Sequence, residues 1–177
     1  MKTMIALLTL LVPTAAFAEI QTVKHRVTGL FSKDRIEDLR QSVKKIPDVT
    51  LVEVDFDHAE VALSYDPLKL VGKGKEKEIP DRLDNLLRAA SSHTLGIRPL
   101  STTPRDKLTR IEFGVLGLDC KACCLAAYES IYKIDGVEQA TASFKDGLVT
   151  ALIDPAKTNR AALEEALKKR QVTLKTP

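Results

Sequence analysis

Shifted by 88 positions, the chain falls on itself. Gly29-Leu30 lands on Gly117-Leu118, Lys33 on Lys121, Ile46-Pro47-Asp48-Val49 on Ile134-Asp135-Gly136-Val137, Phe56 on Phe144, and Asp66-Pro67 on Asp154-Pro155. The match runs without a gap over about 45 residues, and although identity is low it holds at turn and core positions, as two copies of one supersecondary unit require. The 177 residues then divide into copies of about 70–80 residues, small but within the range that folds alone. The division falls at Pro99-Leu100-Ser101-Thr102-Thr103-Pro104, whose two prolines and three small hydroxyl residues read as an extended linker. We set the first copy at 19–98, the linker at 99–108 and the second copy at 109–177.

The second copy has the cleaner pattern. Ile111, Phe113 and Val115 alternate, as in a strand with one buried face. After a loop from Gly117, residues from Ala122 to Lys133 place Cys124, Ala127, Tyr128 and Ile131 on one helical stripe. Val137 to Phe144 and Leu148 to Ile153 read as strands, joined by a Lys145-Asp146-Gly147 turn. Thr158 or Asn159 caps a helix running to Lys169, with Ala162, Leu163, Ala166 and Leu167 as its apolar face. Val172-Thr173-Leu174 supplies a last strand. The order β-α-β-β-α-β is the ferredoxin-like arrangement, an α+β fold with two helices on one face of a four-stranded antiparallel sheet.

The first copy repeats the plan. Val23, His25 and Val27 alternate on a first strand, and Ile36, Leu39, Val43 and Ile46 stripe a first helix. Val49–Asp57 and Ala59–Tyr65 form a hairpin, and Asp81–Ser92 forms a second helix that buries Leu83, Leu86, Leu87 and Ala90. Between them, Leu68–Ile79 is an insertion rich in lysine and glutamate and reads as a solvated loop.

Residues 1–18 stand outside the repeat. A positive start at Lys2, the apolar run Ile5–Val12 and the small residues of Ala16-Phe17-Ala18 make the pattern of a secretory signal peptide cleaved after Ala18. The expected location is therefore periplasmic or secreted, in an oxidising compartment, with no membrane span left after cleavage because no other stretch approaches about 20 apolar residues. The net charge of +3 and the 5 % aromatic content give neither the basic stripe nor the stacking platform of a nucleic-acid binder. Three cysteines exclude a dense disulfide scaffold. No Ser/His/Asp arrangement or glycine-rich phosphate loop is present, so the chain reads as a non-enzyme.

The chemistry lies in Gly117-Leu118-Asp119-Cys120-Lys121-Ala122-Cys123-Cys124. A Cys-x-x-Cys pair brings two sulfurs to one side of a loop-to-helix turn. Cys123 falls in the first helical turn, where unpaired N–H groups and the helix dipole favour a thiolate. Two soft sulfurs with no adjoining His or carboxylate pattern select soft ions. Cu(I) and Hg(II) accept two thiolates, whereas Zn(II), and with it Cd(II), fits less well because zinc ordinarily takes four ligands.

From about Leu108 to Thr176 the second copy resembles the heavy-metal-associated domain family of copper chaperones, metal-transporting ATPase modules and periplasmic mercury-binding protein. The family signature Gly-Met-x-Cys-x-x-Cys stands here with Leu118 in place of Met, a mild departure because that side chain packs inward. The resemblance implies that Cys120 and Cys123 are the metal ligands. It also implies that the partners are a metal ion and a membrane transporter or other metal-handling protein. In the first copy Ser32 and Arg35 stand where Cys120 and Cys123 do, so that copy is degenerate.

Two other functions fit the same residues: a redox-active Cys120–Cys123 disulfide, which would make the chain a thiol-disulfide enzyme, and a non-catalytic adaptor whose thiols are incidental. Cys124 reads as a third sulfur ligand, as the odd cysteine of an intermolecular disulfide, or as a small buried hydrophobe sharing a face with Tyr128 and Ile131. His25 matches Phe113 and reads as a packed, hydrogen-bonded side chain. His58, His93 and Lys121 read as solvated, and Asp66 and Asp154 as turn residues.

Overall fold

The alternation at Val23, His25 and Val27 becomes β1 (Gln21–Thr28) in the computed structural model, which describes residues 19–175. The signal-peptide segment lies outside the described residues. β1 is followed by α1 (Arg35–Val43), β2 (Val49–Asp55), β3 (Glu60–Tyr65), the one-turn α2 (Pro67–Leu70), α3 (Ile79–Ala90) and β4 (Gly96–Arg98). The second copy gives β5 (Thr109–Leu116), α4 (Lys121–Ile131), β6 (Val137–Ser143), β7 (Leu148–Ile153), α5 (Arg160–Lys169) and β8 (Thr173–Leu174). Each copy forms one antiparallel sheet, ordered β2-β3-β1-β4 and β6-β7-β5-β8. This is the ferredoxin-like topology, made twice.

The cores follow the predicted stripes. Leu39 and Val43 from α1 meet Leu83 and Leu87 from α3 over Val27, Val61 and Leu63. Ala127, Tyr128 and Ile131 from α4 meet Leu163 and Leu167 from α5 over Phe113, Val115 and Val149. Asn159 caps α5 through a bond from the Ala162 N–H, as its sequence position suggested.

The insertion is more ordered than a solvated loop. Asp66 accepts the Leu68 N–H and starts α2, and Leu70 and Val71 pack against the first core. Pro sits in the first turn of α3, which begins at Ile79, two residues before the reading from the sequence. The middle of the linker is also tied to both copies. The Thr103 hydroxyl donates to Asp154 at 2.7 Å, and Arg105 pairs with Glu60 and, at 3.2 Å, with Asp55. His58 is not simply solvated: its Nδ1 lies 2.9 Å from Asp55 at the tip of the first hairpin.

His25 is packed as expected, 5 % exposed and sharing a hydrogen bond with the Tyr65 hydroxyl at 3.2 Å. Burial lowers its pKa below the ordinary 6.5, so the unfolded chain takes up that proton first. This contribution to stability is complete above about pH 6.5 and is lost as pH falls through and below that value. Replacing His25 by Phe, the residue of the second copy, is expected to flatten the fall in stability below about pH 6.5. Urea unfolding at a series of pH values measures it; an unchanged acid slope would assign the slope to other groups.

Candidate metal centre

β5 ends at Leu116, and the chain turns through Gly117 at φ +75°, a conformation open to glycine at no steric cost. Leu118 then buries itself in the second core, 5 % exposed, and pins the loop from below. Its inward packing is the role in which Leu substitutes for Met. With Leu118 fixed, Asp119 and Cys120 are left on the surface.

Cys120 is the N-cap of α4, with extended backbone angles of −152° and 165°, and its sulfur accepts the Cys123 N–H at 3.3 Å. That N–H is one of the groups at a helix start with no intrahelical carbonyl. The two Sγ atoms lie 2.7 Å apart, with Cys120 exposed and Cys123 half-buried. The Cys123 thiol and the Cys123 N–H together lower the Cys120 pKa. The Cys123 pKa is raised, first by the hydrogen bond it shares with the Cys120 sulfur and then by desolvation. The sequence placed Cys123 in the first helical turn, where it is found, and the structure adds Cys120 as the cap of that helix. The reason is positional, since the capping side chain reaches the free N–H groups and the third helical residue supplies one. The Cys-x-x-Cys spacing, read as N-cap and third residue, carries that signal.

Cys124 points the other way. It is 2 % exposed, packs with Ala127, Tyr128 and Ile131, and burial raises its pKa. Among the described residues no group of three or more His, Cys, Asp and Glu side chains is placed to hold one ion.

Lys121 is not simply solvated. Its Nζ lies 2.9 Å from Asp34 of the first copy. Lys121 and the Ser32 hydroxyl hold the Asp34 carboxyl at a pKa of about 2. The degenerate loop of the first copy is thus beside the cysteine loop of the second.

In that degenerate loop Arg35 replaces a ligand with a clamp. Its guanidinium reaches the Gly29 carbonyl at 3.3 Å, the Thr94 hydroxyl at 2.8 Å and Asp38 at 2.5 Å, and lies 5.6 Å from the Phe31 ring centroid. Gly29, at φ +90°, admits no side chain: a Cβ there would meet the Thr94 carbonyl oxygen at 2.1 Å.

The clamped loop is docked on the second copy. The Gly29 N–H donates to the Tyr128 hydroxyl at 2.7 Å, and the Ala142 N–H on edge strand β6 donates to the Phe31 carbonyl at 2.9 Å. The Gln139 side chain donates to the carbonyls of Leu30 and Phe56 at 3.3 and 2.8 Å. The Phe31 ring belongs to the second copy's core, 8 % exposed. Arg26 pairs with Glu138, which stands at the register shift of β6, with side chains 15 % and 8 % exposed. None of these partners was identified from the sequence.

Comparison with known proteins follows the same lines. No family model matches the chain. It is 22 % identical over 167 residues to copper-transporting ATPase 2 of Homo sapiens, a match that takes in 84 % of this chain and 11 % of that protein. Among solved structures, the N-terminal soluble domains of Bacillus subtilis CopA are 21 % identical with TM-score 0.36, covering 89 % of this chain and 94 % of that one. Oxidized MerP from Ralstonia metallidurans CH34 is 24 % identical with TM-score 0.37, covering 38 % of this chain and 94 % of that one. A Cu(I)-loaded N-terminal domain of a potential copper-translocating P-type ATPase from Bacillus subtilis is 31 % identical with TM-score 0.37, covering 38 % and 85 %. The chain resembles heavy-metal-associated domains, and it spans about a tenth of the curated relative it matches.

Proposed function

We propose that this chain is a soft-metal carrier that binds one Cu(I) or Hg(II) ion between Cys120 and Cys123 and passes it to a metal-handling partner, and that residues 1–18 direct it out of the cytoplasm. The observation that carries the reading is the pair of surface sulfurs at the start of α4, one of them the helix cap with a lowered pKa. A two-sulfur site suits ions that accept low coordination numbers and leaves zinc short of ligands. Exposure of Cys120 leaves a side from which a partner's ligand can enter. The names of the similar proteins concern copper transport and, for one of them, the oxidized state of a protein called MerP. No helix among the described residues is long and apolar enough to cross a membrane.

Both sulfurs are also within reach of one another for a disulfide, which keeps thiol-disulfide exchange as the second reading. Anaerobically reduced protein is expected to retain one Cu(I) per chain against a competing chelator. Air-oxidised protein with no free Cys120 or Cys123 thiol is expected to bind none. Catalytic turnover of a disulfide substrate without metal retention would favour the redox reading, and absence of both activities would leave an adaptor.

A further inference from the structure

The docked loop of the first copy leaves a cleft of about 630 Å³ between the copies, and the proposed metal chemistry makes no use of it. Three of the chain's five phenylalanines line it: Phe31 from the degenerate loop, Phe56 from the first hairpin and Phe144 from the second. Phe31 is packed and Phe56 is half-buried, but Phe144 is 47 % exposed at a hairpin tip. Phe144 thus presents apolar ring surface to the cleft. The volume lies within the roughly 300–1,000 Å³ of small-molecule sites.

Charge at the rim selects the ligand. Lys33, Lys121 and Lys145 line the cleft with Asp34 and Asp146. Asp34 is taken by Lys121 and Ser32, and Asp146 accepts the Ser143 hydroxyl at 2.6 Å. Lys33 and Lys145 have no carboxylate partner among the described residues, and they line the cleft from opposite copies. An apolar floor under two unpaired ammonium groups suits a molecule with an apolar body and an anionic head. The walls are also fixed in advance: the Ala142-to-Phe31 bond and the two Gln139 bonds hold both sides together before any ligand arrives.

We infer that this cleft is a binding site for a small organic anion with an aromatic or branched apolar body. The inference does not rest on the metal reading: Lys121 and Cys124 line the cleft, but neither Cys120 nor Cys123 does. A free small molecule is favoured over a protein segment because one cleft holds both the apolar surface and the two cations.

The test uses 8-anilinonaphthalene-1-sulfonate, which has both features, titrated into the purified, reduced, metal-free protein by calorimetry and fluorescence. Saturable binding of one probe per chain is expected. Phe144→Ser, and separately Lys33→Glu with Lys145→Glu, should each weaken it by about tenfold. Both variants change exposed side chains, and an amide NMR spectrum unchanged away from the cleft confirms that each folds. N-phenyl-1-naphthylamine, the same ring system without the sulfonate, should bind more weakly by a similar factor. Failure to saturate, wild-type affinity in both variants, or equal binding of the uncharged analogue would overturn the inference. So would release of the probe by a phenylalanine-containing acidic peptide that itself binds tightly, which would make the occupant a protein segment.

Discussion

Cys120→Ser and Cys123→Ser are each expected to abolish retention of Cu(I) against a chelator that the unaltered protein withstands, while Cys124→Val keeps one ion per chain. Each serine variant removes one of two sulfurs and leaves a hard hydroxyl that a soft ion does not prefer. The loss should exceed the about 10–100-fold that follows from changing groups behind a ligand. Cys124 differs because its side chain already behaves as a small apolar group between Ala127 and Tyr128, 2 % exposed and with a raised pKa. Valine fills similar space, so the change should cost under about 1.5 kcal/mol of stability. Competition titrations on the three reduced variants measure the first effect and thermal unfolding the second. Loss of Cu(I) by Cys124→Val as complete as that by Cys120→Ser would make the site a three-sulfur one.

Glu138→Ala should destabilise the chain strongly without touching the cysteines. It leaves the Arg26 guanidinium, 15 % exposed and with Arg98 nearby to repel it, without its carboxylate. Removing one partner of such a buried pair costs about 3–5 kcal/mol. For a chain of this size that lowers the melting temperature by roughly 6–20 °C. Because the pair joins the copies, the unfolding transition should also broaden or split as the copies lose their shared interface. The apolar double variant Arg26→Met, Glu138→Leu should recover most of the loss, since burying neither charge removes the desolvation cost. Calorimetry decides it: an unchanged melting curve for Glu138→Ala would show that the contact carries no weight.

Apart from α2 and β4, which were not read, the elements within each copy were legible because they rest on local periodicity. Phe113 and Val115 alternate, Ala127 and Ile131 recur at helical spacing, and Asn159 precedes its helix as a cap. The contact between copies was not, because it depends on residues far apart in sequence. Phe31 pairs in the repeat with Asp119 and sits in what reads as a surface loop. Its signal was that mismatch: an apolar ring where the other copy carries a charge marks a loop that covers something. Lys121 looked solvated since Asp34 lies 87 positions away. The degenerate copy could be recognised from Ser32 and Arg35, but that Arg35 clamps the loop for docking needed the positions of Gly29 and Thr94. At the cysteines, spacing located the sulfurs, whereas which one is the cap required the backbone angles of Cys120.

The most direct test of the two-sulfur metal site is X-ray absorption at the metal edge of reduced protein loaded with one equivalent of Cu(I). The account predicts a first coordination shell of two sulfurs, lost in Cys120→Ser. A shell made of nitrogen and oxygen, or one of three sulfurs, would contradict it.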